Sequence, residues 1–164
     1  LDEGTGYLLD VLPTLEAPER VLDLGTGCGV IGAWMLKRHP GTRVTMVDHS
    51  AAAIHSAQVT LARSGVGDDG RHELLLGRSE DAPTGAFDLV VTNPPFHVGR
   101  HQERGQAEDF ATVASERLAN GGVFVLVANR HLGYRTALEE RFSRVDVLWE
   151  DGRFRVWRAQ GPRR

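Results

Sequence analysis

Three features of this 164-residue chain combine residue types and spacings that could do chemistry. The first is Asn93-Pro94-Pro95-Phe96. Pro94 and Pro95 have fixed φ angles and hold Asn93 and Pro94 out of the α region. The Asn93 side-chain oxygen and the Pro94 carbonyl can therefore aim rigidly at one point. Two acceptors facing one donor suit an exocyclic or amide NH2 group. Taking both of its hydrogens in hydrogen bonds draws the nitrogen towards a pyramidal, nucleophilic state without a strong base. Preorganised groups of this kind are worth about 3 to 4 kcal/mol each when probed by mutation. Phe96 adds a flat apolar face on which a planar base could stack, at about 1 to 3 kcal/mol. Asn-Pro is also a common turn opener and Phe96 can equally be core, so the setting of the tetrapeptide decides between the two readings.

The second and third features are the glycine run Gly25-Thr26-Gly27-Cys28-Gly29 and the acid Asp48, 19 residues beyond Gly29. Glycines directly after a strand let a ligand approach the backbone at the start of the next helix. The dinucleotide fingerprint needs glycine where this chain has Val30, with Gly32 a little further on, so G-x-G-x-G suits a nucleoside cofactor without a pyrophosphate. Asp23 would reach the cofactor's amino-acid end through bridging groups. Asp48 would accept hydrogen bonds from both ribose hydroxyls and disfavour a 2′-phosphate. The glycines alone would be satisfied by a tight turn and Asp48 by capping a helix; their combination favours a ligand site.

The elements that must position these residues alternate. Val21–Leu24 reads as a strand, and Val30–Arg38 as a helix stopped by His39-Pro40-Gly41. Arg43–Val47 reads as a strand ending at Asp48, and Ser50 as the N-cap of a helix to about Arg63, closed by Ser64-Gly65. His72–Leu76, Phe87–Thr92 and Val123–Ala128 read as further strands, the last after a Gly121-Gly122 turn, with an amphipathic helix over Glu103–Leu118. Tyr134–Phe142 reads as a helix, and Val145–Trp149 and Phe154–Ala159 as two closing strands that pair antiparallel around Asp151-Gly152. Repeated βα units with near-continuous apolar strands imply an α/β, Rossmann-like, doubly wound fold: a mostly parallel seven-stranded sheet with an antiparallel C-terminal strand. The tetrapeptide then sits at the C-terminal edge of a buried strand, where ligands bind in such sheets.

Composition narrows the classes. A chain of 18.0 kDa, 41% hydrophobic and 25% charged, makes one domain over residues 1–164 and excludes disordered and fibrous chains. One cysteine cannot form an intramolecular disulfide or, without companion ligands, a metal site, so no metal is expected and Cys28 is assigned no chemistry. No run approaches the roughly 18 apolar residues of a membrane helix, and a cytoplasmic protein away from membranes is expected. The start at Leu1 without a signal pattern reads as a truncation, this chain being the C-terminal catalytic part of a longer protein. The net charge of −3 argues against bulk electrostatic binding to nucleic acid. It divides unevenly, −5 over residues 1–82 and +2 over 83–164.

The series VLDLGTGCGVIG, VTMVDHS, FDLVVTNPPFHVG and GRFRVWRA resembles the class I S-adenosylmethionine-dependent methyltransferases. Within them it is similar to the catalytic domain of bacterial ribosomal RNA guanine-N2 methyltransferases, over nearly the whole chain. The resemblance implies S-adenosylmethionine held by Gly25, Thr26, Gly27, Cys28 and Gly29, with Asp23, Asp48 and His49 beside it and the adenine near Arg78 and Ser79. Asn93, Pro94 and Phe96 would bind and activate the acceptor, Asn93 also bordering the cofactor. The opening LDEGTGYLL is similar to the family's GLD-x-G-S segment and would put Thr5 near the methionine end. NPPF alone is shared with adenine-N6 and protein glutamine-N5 methyltransferases, which stay as alternatives, as does a catalytically silent RNA-binding module.

His97, Arg100, His101 and Arg104 follow the motif, where cations could hold RNA phosphates beside an extruded base or simply line a solvated loop. His97 is either a proton acceptor or structural. Arg153, Arg155, Arg158, Arg163 and Arg164 form either an RNA-binding strand face or a frayed terminus.

Overall fold

A computed structural model describes residues 2–94 and 100–163, with residues 100–104 as backbone only. The strands are β1 (Arg20–Leu24), β2 (Arg43–Asp48), β3 (His72–Leu76), β4 (Phe87–Thr92), β5 (Leu118–Asn129), β6 (Phe142–Glu150) and β7 (Phe154–Pro162). They form a seven-stranded sheet in the order β3-β2-β1-β4-β5-β7-β6. Strands β1 to β5 are parallel, and β7 runs antiparallel to both neighbours. The fold is thus the Rossmann-like one expected, with the C-terminal strand inserted between β5 and β6.

The helices are α1 (Glu3–Val11), α2 (Val30–Arg38), α3 (Ala51–Ser64), α4 (Arg100–Arg117) and α5 (Tyr134–Arg141). Successive side chains of a strand point to opposite faces, so β1 serves two cores. Leu22 and Leu24 pack with Phe110 and Ala114 of α4 and Leu138 of α5, whereas Val21 packs with Leu8 of α1 and Ile31 and Met35 of α2. In α4 the buried Ala107, Phe110, Ala111 and Ala114 recur at helical spacing. Ser50 caps α3 by accepting from the Ala53 N–H, and Gly65 closes it in a left-handed conformation. Among the described residues no helix is long and apolar enough to cross a membrane.

The structure corrects the expected elements: β6 begins at Phe142 and not Val145, β7 runs on to Pro162, and two further differences are larger. Helix α1 was not anticipated: Gly4 and Gly6 weaken its helical signal, while the Asp2 cap on the Thr5 N–H and the buried Leu8 and Val11 secure it. Strand β5 also begins at Leu118 and not after the glycines. Leu118 pairs with Phe87, and pairing resumes with Val123 opposite Leu89, so Gly121-Gly122 form an irregularity inside the strand. A Cβ on Gly122 would lie 2.8 Å from the Phe87 carbonyl oxygen.

Gly29 starts α2 with φ +74°, and a Cβ there would stand 2.7 Å from the Cβ of Ala57 on α3. Gly29→Ala should therefore lower the unfolding free energy by about 2–4 kcal/mol, from left-handed strain plus overpacking. Gly6→Ala, inside α1 with nothing within 4 Å of its Cβ, should be neutral or stabilising by up to about 1 kcal/mol. Urea unfolding midpoints of the two variants check the contrast.

Candidate active site

The register of three parallel strands brings distant residues to one edge. Leu24 pairs with Val47 on one side and with Thr92 on the other, so Gly25, Asp48 and Asn93 all leave the sheet together. The Thr92 hydroxyl donates to the Leu24 carbonyl at 2.7 Å and locks β1 to β4 at this point. The N–H groups of Gly25 and Thr26 both donate to the Val47 carbonyl, at 2.8 and 3.0 Å. Between these strand ends lies a cavity of about 450 Å³, lined by Gly25, Gly27, Asp48 and Asn93. His49 and residues 77–80 close one side, and Gln106, Asp109 and Phe110 of α4 close another.

Two carboxylates serve the glycine loop from different depths. Asp48 accepts the Gly27 N–H on Oδ2 and the Ser50 N–H on Oδ1, each at 2.9 Å, which ties the loop to β2. A carboxylate has about four lone-pair sites, so Asp48 retains acceptors for donors in the cavity. His49 is mostly exposed, its Nδ1 3.6 Å from Asp48 Oδ1. Asp23 is fully buried, and its Oδ2 accepts the Thr26 hydroxyl at 2.6 Å. Burial pushes its carboxyl up to about 7, the negative charge of Asp48 adds to the rise, and the hydrogen bonds from Thr26 and the Gly32 N–H oppose it.

Asn93 is oriented by its neighbours. Its Nδ2 donates to Asp2 Oδ1 at 2.9 Å and to Thr5 Oγ1 at 2.8 Å. Its Oδ1, by contrast, has no hydrogen-bond partner among the described residues. The acceptor of the motif without a partner among the described residues is thus a buried carbonyl-type oxygen, on a side chain that borders the cavity.

A model of the methyltransferase small domain matches residues 1–158. The chain belongs to the methyltransferase small domain family. Ribosomal RNA small subunit methyltransferase C of Chromohalobacter salexigens is 41% identical over 100% of the chain and 48% of that protein. Ribosomal RNA large subunit methyltransferase G of Alcanivorax borkumensis is 40% identical over 99% of the chain and 41% of that protein. The chain spans about half the length of the curated relatives it matches. Among solved structures, a T. thermophilus 16S rRNA N2 methyltransferase in complex with AdoMet and guanosine superposes with a TM-score of 0.83 and 31% identity. That match covers 98% of this chain and 43% of the other. An O-methyltransferase family protein from Burkholderia thailandensis, 19% identical with a TM-score of 0.76 over 96% of this chain and 56% of its own, shares the fold.

Of the residues expected to form the site of this methyltransferase small domain, Gly25, Gly27, Asp48, His49, Arg78, Ser79 and Asn93 line the cavity. Thr5, Asp23, Thr26, Cys28, Gly29 and Pro94 are not in its wall. Asp23 alternates with Leu22 and Leu24 along β1 and so lies on the other face of the sheet from Phe110, beneath the loop. Thr26 is turned inward to Asp23, and Thr5 reaches the site only through Asn93. Phe96 and His97 lie outside the described residues, as do the side chains of Arg100, His101 and Arg104. Sequence reasoning missed Asp2, Gln106, Asp109 and Phe110; the aspartate before a short helix was the one available signal, as an N-cap.

Arg155 and Arg158 lie on β7 inside the sheet and so are not part of a frayed terminus, whereas Arg164 lies outside the described residues. Arg155 pairs with Glu150 at 2.6 Å and Arg158 with Asp146 at 2.8 Å, both across to β6. Arg163 Nε donates to the Phe142 carbonyl. Arg153, at the β6–β7 turn, pairs with Glu3.

The raised Asp23 carboxyl has a pH signature. Between about 4 and about 7 the folded state holds a proton that the unfolded chain has released, so this group's effect is a loss of stability as pH rises through that window and a plateau above it. Thermal unfolding of wild type against Asp23→Asn from pH 4 to 8 should show the stability of wild type relative to the variant falling up to about pH 7 and levelling thereafter. A pH-independent difference would contradict it.

Proposed function

We propose that this domain transfers the methyl group of S-adenosylmethionine to the exocyclic N2 of a guanine in ribosomal RNA. The observation that carries the proposal is the Asn93 Oδ1, buried and without a hydrogen-bond partner among the described residues, on a side chain bordering the cavity at the head of an Asn-Pro-Pro-Phe motif.

The cavity fits the cofactor. Its volume of about 450 Å³ lies in the range of small-molecule sites, and Asp48 offers carboxylate lone pairs to ribose hydroxyls beside a loop with backbone open to close approach. When bound, S-adenosylmethionine supplies an electrophilic methyl carbon on its sulfonium. The chain does the rest by positioning, which is worth several kcal/mol when reacting atoms are held in line. Asp48 and the glycine loop seat the nucleoside, and residues 77–80 with Phe110 border the space for its base. Asn93 Oδ1 and the Pro94 carbonyl accept the two hydrogens of the guanine amine and leave its lone pair aimed at the methyl group. Phe96 gives the base a face to stack on.

Guanine is favoured over adenine-N6 or glutamine-N5 by relatives named as ribosomal RNA methyltransferases and by the guanosine in the T. thermophilus complex. The retained Asp48 and Asn93 geometry favours an enzyme over a silent RNA-binding module. On this reading the protein acts in the cytoplasm, on naked ribosomal RNA or on a ribosomal subunit.

Calorimetry should show wild type binding S-adenosylmethionine and Asp48→Ala binding at least about tenfold more weakly, because charge-assisted hydrogen bonds are lost. Absence of binding by wild type would remove the enzyme assignment. Asn93→Ala should lower kcat by about 100- to 1000-fold while cofactor affinity stays within about threefold of wild type. Labelled cofactor with undermethylated small and large subunits, followed by digestion to nucleosides, should put label in N2-methylguanosine; label in N6-methyladenosine would assign the rival acceptor.

A further inference from the structure

The amide of Asn93 can do its proposed work in only one of two orientations, and these differ little in shape. With Oδ1 towards the cavity the side chain accepts a hydrogen from an amine; turned by half a revolution it would present its own NH2 and repel that amine. Sterics cannot choose, because amide oxygen and nitrogen are nearly the same size. Hydrogen bonding can. The Thr5 hydroxyl spends its single hydrogen on Asp2 Oδ2 at 2.6 Å, leaving only lone pairs towards Asn93. Asp2 Oδ1 likewise offers only lone pairs. Both Nδ2 hydrogens are thereby taken, and the reversed amide would set Oδ1 against two acceptors.

We propose that Asp2, acting with Thr5, is the positioning residue that fixes the acceptor-presenting orientation of Asn93. The inference rests on the role given to Asn93 under the proposed function. Asp2 can act as a fixed point because α1 is itself fastened. The residue caps this helix through the Thr5 N–H at 3.1 Å. One turn on, the ring of Tyr7 stacks on Trp149 of β6 at 3.8 Å, and its hydroxyl bonds Asp151 at the β6–β7 turn. Arg153 closes the same junction by pairing with Glu3 at 2.8 Å. The hairpin at the far edge of the sheet thus sets the position of α1, and α1 sets the amide. The Asp2 carboxyl lies below its ordinary range: partial burial raises it, but hydrogen bonds from Thr5 and Asn93 outweigh the burial and keep the acceptor-only form.

Asp2→Asn tests the orientation with little change of shape: an asparagine that keeps its oxygen on the Thr5 N–H sets its NH2 against the Thr5 hydroxyl, whose hydrogen is then released to turn towards Asn93. The expected result is a fall in kcat of about tenfold or more, with KM for RNA and for S-adenosylmethionine within about twofold and thermal stability nearly unchanged. Thr5→Ser, which keeps the hydroxyl, should retain kcat within about twofold, and Thr5→Val should lose it as Asp2→Asn does. By NMR, the side-chain amide hydrogens of Asn93, assigned by their loss in Asn93→Asp, should be protected from solvent exchange in wild type and Thr5→Ser and exposed in Asp2→Asn. Wild-type kcat in Asp2→Asn, or freely exchanging Asn93 amide hydrogens in wild type, would overturn the proposal. So would a rise in KM that tracks lost thermal stability. If Asp2→Asn does not fold, the Thr5 pair decides: equal kcat in Ser and Val overturns the role, loss in Val alone supports it. A wild type with no turnover on any RNA defeats the proposed function, whereas the exchange measurement still reports the amide's orientation.

Discussion

The pairing of β1 with β4, Leu24 opposite Thr92, is the constraint on which the site depends. It is the point where strand order turns from β3-β2-β1 to β4-β5, and open α/β sheets form their ligand crevice at such a reversal because flanking helices diverge there. The hydrogen bond from the Thr92 hydroxyl to the Leu24 carbonyl is buried, so a slip of register would strand a donor and an acceptor in the core. Everything that follows Leu24 and Thr92 in the chain inherits this alignment.

The glycine loop is held by two carboxylates in addition to the Val47 carbonyl and the close approach of Gly29 to Ala57. Asp48 uses one oxygen on the loop and one on the start of α3, and its own carbonyl accepts the Gly77 N–H at 3.0 Å. One residue therefore joins the ends of β1, β2 and β3 around the cavity. Asp23 does the complementary work from below through Thr26, at the energetic cost of a buried carboxyl with a raised pKa. The two acids stand under the same loop yet differ in role because one opens to the cavity and the other is enclosed between β1 and the helices of the opposite face.

The C-terminal hairpin contributes at a distance. Inserting β7 antiparallel between β5 and β6 returns the β6–β7 turn to the functional edge, where it meets α1 through Tyr7 and Glu3. The arginines of β7 are largely engaged in this framework: Arg155 and Arg158 neutralise acids on β6, which restrains the edge of the sheet and leaves little of their charge for a separate partner surface.

The alternation of βα units, the helix caps at Ser50 and Gly65 and the Asn-Pro-Pro-Phe motif were all legible in the sequence, since apolar periodicity, caps and prolines act over a few residues. So was the gathering of the glycine loop, Asp48 and Asn93, because a parallel sheet leaves few ways to order such units. Helix α1 was hidden by its two glycines, and its stability comes from burying Leu8 and Val11 against distant strands. Only the tertiary structure decided that Asp23 lies beneath the loop, that α4 supplies Gln106, Asp109 and Phe110 to the cavity wall, and that Asp2 holds Asn93 across 91 positions of chain. Those contacts depend on which face a side chain takes and on how strands align, and neither is set by residues close in sequence.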